Sequence, residues 1–237
     1  MPSPTAENYL KALLTLSIDG RGTGEVAVTD LAAALAVSKP AANSMVKSLA
    51  AQGHVAYERY RPVRLTPAGR TAAALIVRKH RLTEMFLVDQ MGFAWDEVHA
   101  IAEQVEHIQS PAFFARMDEL MGYPTTDPHG APIPSPSGEI DAPVYASLAE
   151  AAPDACVVVR AVRTDAEEVL RRLTEHGIRL GTVLQRVPLG SAASSREAVR
   201  VRLITGDPTP PEVQLSREVA AALLVAPTQQ GAPAVVG

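Results

Sequence analysis

Between residues 124 and 143 the chain carries six prolines (Pro124, Pro128, Pro132, Pro134, Pro136 and Pro143) among several Gly, Ser and Asp residues. Proline fixes φ and lacks the backbone N–H, so neither a regular helix nor a central strand survives this density. The stretch reads as a partly extended linker, and it divides the 237 residues into two differently patterned parts. Ahead of it, apolar residues recur at helical spacing. Behind it, from about Val144 to Ala226, short β-rich segments at 156–162, 181–187, 199–204 and 213–215 surround one helical segment near 166–176. The expected fold class is mainly α with small β parts. The chain is long enough for one large domain or two to three small ones.

The first eighty residues have a readable order. Ser3 followed by Pro4 starts a helix with the apolar stripe Tyr9, Leu10, Leu13, Leu14 and Ile18. Thr29 is placed to cap a second helix carrying Leu31 and Leu35, and a short turn near Ala36 and Val37 leads to a third. Ser38 caps that third helix, Pro40 lies in its first turn, Met45, Val46 and Leu49 face inward, and Gly53 ends it. Two such helices joined by a short turn form a helix-turn-helix. Two alternating strands follow, with Val55 and Tyr57 before, and Val63 and Leu65 after, the basic turn Arg59-Tyr60-Arg61-Pro62. This is a wing, and Thr66-Pro67 then starts a long helix running to about Gln90. The run from Val28 to Gly69 reads as a winged helix-turn-helix.

Charge distribution agrees. The net charge is −4, yet the first eighty residues hold ten Lys or Arg against five acids, a local balance of +5 that leaves −9 for the rest. A basic module on an acidic remainder is the footprint of a DNA-binding protein. On the third helix the outward candidates are Ser38, Lys39, Pro40, Ala41, Asn43, Ser44 and Lys47, with Arg59 and Arg61 on the wing. No arginine on that helix is available to clamp guanine, so phosphate contacts and DNA shape are expected to carry much of the recognition.

Further along stand His99, Glu103, Glu106 and His107, preceded by His80 and Glu84. Their spacing places each set on one face of a helix. The acids of residues 93–108 interleave with Val98, Ile101, Val105 and Ile108, so the expected helix is half buried on its ligand side. Buried carboxylates need a cationic partner. The nearby Arg78, Lys79 and Arg81 point largely away from His80 and Glu84, which makes a metal ion the simpler compensation. Imidazole and carboxylate without thiolate suit Mn(II), Fe(II), Co(II) or Zn(II) and argue against a closed structural zinc site. The alternative is a solvated, charge-laced helix face.

Other classes fit less well. The single cysteine, Cys156, lies in an apolar run and reads as an inert buried thiol, so there is no disulfide frame and a cytoplasmic location is expected. No apolar run is long enough for a membrane span, and the N-terminus has no basic segment followed by an apolar one. A hydrolase using Glu103, Glu106 and His107 would need a nucleophile motif or a phosphate-binding glycine loop, and neither is present.

Several motifs together resemble the metal-dependent repressors of the diphtheria-toxin-repressor type, the bacterial iron and manganese regulators. They are Thr5-Ala6-Glu7-Asn8-Tyr9-Leu10, Ser38-Lys39-Pro40, Leu65-Thr66-Pro67-Ala68-Gly69-Arg70, Arg78-Lys79-His80-Arg81-Leu82 with Glu84, Val98-His99, Glu106-His107 and Pro128-His129-Gly130-Ala131-Pro132-Ile133-Pro134. The resemblance covers most of the first 140 residues in order.

It implies a winged helix-turn-helix domain (1–74), a helical metal-binding and dimerisation domain (75–143, with the linker at 124–143), an SH3-like β-barrel (144–226) and a disordered tail (227–237). It further implies an ancillary metal site at His80, Glu84 and His99 and a primary site at Asn8, Glu103, Glu106 and His107. A homodimer on a palindromic operator and control of metal-uptake genes follow from the same resemblance. Glutamate at 103, where iron-type members commonly carry cysteine, points to Mn(II) first and Fe(II) second. Lys11 departs from the manganese-type pattern, which has a glutamate there. An ammonium cannot ligate, so the compact two-metal arrangement is expected to be absent, with any second metal on the ancillary set. The barrel positions that ligate in some relatives fall on Ala166 and Val169, which cannot, leaving Glu167 or Glu168 if the register slips. The rival reading is a metal-independent DNA-binding regulator with a structural His/Glu cluster.

Overall fold

A computed structural model describes residues 3–19, 24–188, 198–205 and 210–228. The described chain falls into two compact units. The first comprises Met1–Gly92, Ala100–Thr125 and Pro132–Asp141; the second comprises Phe93–His99, Thr126–Ala131 and Ala142–Gly237. The tail expected at 227–237 lies almost wholly outside the described residues.

In the first unit, helix α1 (Pro4–Asp19) opens with the Ser3 side chain accepting from Ala6 N and buries Leu10, Leu13 and Leu14. Strand β1 (Glu25–Val26) leads directly into α2 (Val28–Ala34). Thr29 does not cap α2. The N-cap is Ala27, because β1 pairs with β3 and the chain turns into the helix as soon as it leaves that strand, while the Thr29 hydroxyl lies against Asp30. Ala36 at φ 51° reverses the chain, Ser38 accepts from Ala41 N, and α3 (Lys39–Ala51) follows with Ala42, Val46 and Leu49 buried. Strands β2 (Val55–Ala56) and β3 (Val63–Leu65) form the wing, in an antiparallel sheet of order β1-β3-β2.

Thr66 joins the wing to α4 (Pro67–Asp89). Its hydroxyl accepts from Gly69 N at 3.0 Å and donates to Gly53 O at 2.7 Å. This junction needs glycine at 69, since a Cβ there would stand 1.9 Å from the His54 carbonyl oxygen. Helices α5 (His99–Val105) and α6 (Pro111–Leu120) complete the helical part, with Leu82, Phe114, Met117 and Ile133 as a small core. Arg78 pairs with Asp118 and donates to Pro134 O, and Arg81 donates to Pro132 O, so residues 132–141 are held against α4 rather than spanning as a free linker.

The second unit is built on a six-stranded antiparallel sheet. Its strands are β4 (Ala146–Ser147), β5 (Cys156–Val162), β6 (Val183–Val187), β7 (Ala198–Leu203), β8 (Glu212–Ser216) and β9 (Leu223–Pro227), in the order β4-β9-β5-β6-β7-β8. Helices α7 (Glu167–Glu175) and α8 (Arg217–Ala222) close over a core of Leu148, Leu170, Leu173, Ile178, Leu184 and Leu223. Cys156 is only half buried. Trp95 packs on this core and donates to Thr174 Oγ1 at 2.8 Å, while its ring stacks on His129.

Candidate metal centre and nucleic-acid groove

The helix expected over 93–108 is shorter than its periodicity implies. Trp95 is drawn onto the second core, so 93–98 are not helical, and α5 ends at Val105 with a last helical bond from Glu106 N to Ala102 O. Glu106 and His107 therefore stand in the turn leaving the helix, and the ligands do not share one helical face.

Glu106 is the centre of the cluster, with its carboxylate fully buried. Oε2 accepts from Lys11 Nζ at 2.8 Å and lies 2.6 Å from His80 Nδ1. Oε1 is also 2.8 Å from Lys11 Nζ but, among the described residues, no donor directs a hydrogen bond at it; it faces His107 Nε2 at 4.0 Å. His107 Nδ1 is 2.7 Å from Glu7 Oε2, and Gln109 Nε2 holds the other Glu7 oxygen at 3.0 Å. A proton on Nδ1 shared with Glu7 leaves the Nε2 lone pair free for a metal.

Two metal–ligand bonds of roughly 2.0–2.2 Å reach at most about 4.4 Å, so an ion fits between Glu106 Oε1 and His107 Nε2 at a wide angle, and a tetrahedral site would need them to draw closer. Glu106 Oε1, with the Lys11 ammonium at 2.8 Å and no other donor among the described residues, and Nε2 of the buttressed imidazole are the two atoms that would close on a divalent ion. Glu103 is the outer carboxylate, about half exposed and 3.7 Å from Lys11 Nζ.

His80 and Glu84 are both buried on α4, with Nε2 3.0 Å from Oε1. Burial alone would lower the His80 pKa, but the bonds to Glu106 and Glu84 outweigh it and raise the imidazole to about 9. For Glu106, burial pushes upward, and His80 together with Lys11 holds the carboxyl below its ordinary value. The cluster is therefore internally compensated. The cation that sequence neighbours could not supply comes from Lys11, on α1.

Of the other expected ligands, Asn8 is exposed, and the adjacent Glu7 is the α1 residue that reaches His107. His99 is half buried with Nε2 3.3 Å from Asp165 Oδ2. Asp165 immediately precedes Ala166, whereas Glu167 and Glu168 pair with Arg171 and Arg172. Glu7 and Asp165 each stand one residue before a position reached by resemblance, a displacement that spacing alone does not reveal.

Away from this cluster, α3 and the wing line one groove of about 800 Å³, including Lys39, Pro40, Asn43, Ser44, Lys47, Arg59 and Arg61. Ser38, Lys39, Pro40, Ala41, Ser44, Lys47, Arg59 and Arg61 are exposed. Asn43 is half buried, donating to Lys39 O and accepting from the Tyr57 hydroxyl, so it braces the groove as well as facing it. Sequence reasoning left out Tyr60, which is 87% exposed at the wing tip with Arg59 over its ring.

A basic winged helix-turn-helix continuous with a helical imidazole–carboxylate centre defines a class, the DNA-binding proteins with an attached metal-binding domain. Residues 1–63 match the iron dependent repressor N-terminal DNA binding domain, and residues 66–135 the iron dependent repressor metal binding and dimerisation domain. The iron-dependent repressor IdeR of Mycobacterium leprae (strain TN) is 37% identical over 134 residues, 55% of this chain and 55% of the relative. The HTH-type transcriptional regulator MntR of Geobacillus kaustophilus (strain HTA426) is 32% identical over 123 residues, 52% of this chain and 84% of the relative. A solved manganese-dependent transcriptional repressor in complex with manganese superposes with a TM-score of 0.83 at 32% identity, covering 94% of this chain and 100% of that one. The chain matches about half the length of its IdeR relatives and most of MntR. It belongs to the iron-dependent repressor family.

Proposed function

We propose that this protein is a metal-responsive transcriptional repressor that binds a palindromic operator as a homodimer when loaded with Mn(II), or with Fe(II) as the second choice. The observation that carries the reading is the pairing of buried Glu106 Oε1 with His107 Nε2 at 4.0 Å, the latter oriented by Glu7. Glu106, His107 and Glu103 would hold the ion, with His80 and Glu84 as ancillary donors. Bound metal supplies a divalent charge that hard oxygen and imidazole donors share.

The chain's own groups do the rest. Glu7 and Lys11 both reach from α1 to the turn after α5, so the state of the cluster bears directly on the helix that packs under the DNA-binding domain. Differential ion affinity between arrangements of that helix would shift the population toward the DNA-competent one. Lys39, Lys47, Arg59 and Arg61 would hold phosphates, and Ser38, Asn43 and Ser44 would face base edges or phosphates, with Pro40 and Ala41 against thymine methyls. Met91 and Phe113 are exposed and available to a second copy. Among the described residues no helix is long and apolar enough to cross a membrane, and the proposed location is the cytoplasm.

Binding of the purified chain to DNA from upstream of metal-transport genes, with chelator, Mn(II), anaerobic Fe(II) and Zn(II), tests the proposal. Tight binding only with metal supports it and ranks the ions. The Lys11 and His80 compensation of Glu106 favours one second reading, a metal-independent DNA-binding regulator, and equal binding in chelator would select it.

A further inference from the structure

We propose that Tyr60 is a DNA-contacting residue of the wing, its ring holding the Arg59 guanidinium in the minor groove beside an operator half-site and so selecting narrow, A·T-rich flanking sequence. This inference rests on the DNA-binding reading. Tyr60 is 87% exposed and takes φ 69°. A bulky side chain rarely adopts that left-handed conformation, and strain of this kind gathers at binding sites. The ring buries almost nothing in its own chain, so the fold gains little from it. What it does carry is a cation: the Arg59 guanidinium lies 4.7 Å from the ring centroid.

The turn is closed in a way that aims this pair. Arg61 N donates to Glu58 O at 3.1 Å, and Arg61 Nε lies 3.2 Å from Glu58 Oε2. Arg61 is thus matched by an acid, whereas among the described residues Arg59 has the Tyr60 ring as its partner and no carboxylate. The wing tip and α3 line the same groove, with Lys39, Lys47, Arg59 and Arg61 and no acid. With α3 in the major groove, the tip meets the adjoining phosphates and the minor groove beyond them. Narrow A·T-rich minor grooves concentrate negative potential and attract inserted arginine. A guanidinium stacked on an aromatic ring is already ordered, so Arg59 enters such a groove at a lower entropy cost than a free arginine and does more than hold a phosphate.

The test starts from a duplex that the wild-type full chain selects out of a random-sequence pool, in Mn(II) and in chelator. That duplex is rebuilt with its flanks as A-tracts or as G·C runs, and affinity for each is read by fluorescence anisotropy, alongside melting temperatures of the free proteins. Wild type should prefer the A-tract flanks. Tyr60→Asn, which suits the left-handed turn, should lose about two- to fivefold of that preference per wing, the fold-change equivalent to a cation–π contact at an exposed site, and should melt no lower than wild type. Tyr60→Phe keeps the ring and should keep the preference. Equal affinity of wild type for both duplexes, or an unchanged preference in Tyr60→Asn, would overturn the proposal. A lower melting temperature for Tyr60→Asn would make the ring a structural group and overturn it as well. A wild type that selects no duplex under either condition would instead remove the DNA-binding reading, and the proposal with it.

Discussion

Lys11 and Glu106 stand 95 residues apart in sequence and 2.8 Å apart in space. This ion pair joins the first helix to the turn that carries the best-buried candidate ligand, and it turns an isolated acid into the centre of a charge cluster with His80, Glu84 and Glu103.

Glu7 holds the His107 ring through Nδ1 at 2.7 Å. Glu7→Gln should therefore weaken Mn(II) affinity by about 10- to 100-fold, the usual cost of losing a carboxylate behind a ligating histidine. Competition against a fluorescent chelator measures it, and unchanged affinity would remove Glu7 from the centre.

The metal-free protein should lose stability in alkali. The folded His80 pKa of about 9 lies above its unfolded value, so its contribution is complete below about pH 6.5 and fades as pH rises through 9. The scale is on the order of 3 kcal/mol. Glu106 works in the opposite sense: its lowered pKa contributes above the ordinary carboxylate range and is lost on acidification. Urea unfolding of chelator-treated protein at about pH 6 and about pH 9.5 should show the alkaline loss, and His80→Gln should flatten it.

Lys47 is exposed in the groove between α3 and the wing. Lys47→Ala should weaken binding to all DNA sequences alike and reduce the slope of log affinity against log salt by about one. A sequence-selective loss would instead assign Lys47 to base readout.

Gly69→Ala should destabilise the junction of wing and α4 by at least about 1–3 kcal/mol, since the added methyl meets backbone rather than a movable side chain. Thermal unfolding reads this directly.

Much of the DNA-binding part was legible because local signals decide it. Ser38 and Thr66 cap their helices, Pro40 and Pro67 sit in first turns, and Val63 alternates with Arg64 across the wing. Thr29 failed as a cap because pairing of Val26 with Val63, a contact distant in sequence, decides where α2 begins. The helix over 93–108 broke for a similar reason, since burying Trp95 outweighs an amphipathic period. In the second unit the strands at 156–162 and 183–187 follow their β-branched runs, whereas β4, β9 and α8 carry no such signal.

The candidate ligands could be named by residue type, but their partners in the fold could not. Arg78, Lys79 and Arg81 were the cations in view, and they serve Asp118, Ile108 O, Pro134 O and Pro132 O. The compensation of Glu106 comes from another helix, which spacing within residues 80–107 cannot disclose.

The most direct test compares Mn(II)-dependent operator affinity of wild type and Glu106→Gln, which keeps the shape of the side chain and removes its charge. The account predicts that Mn(II) strengthens DNA binding of the wild type and leaves Glu106→Gln at its chelator-treated affinity. A variant that responds to Mn(II) as the wild type does would contradict it.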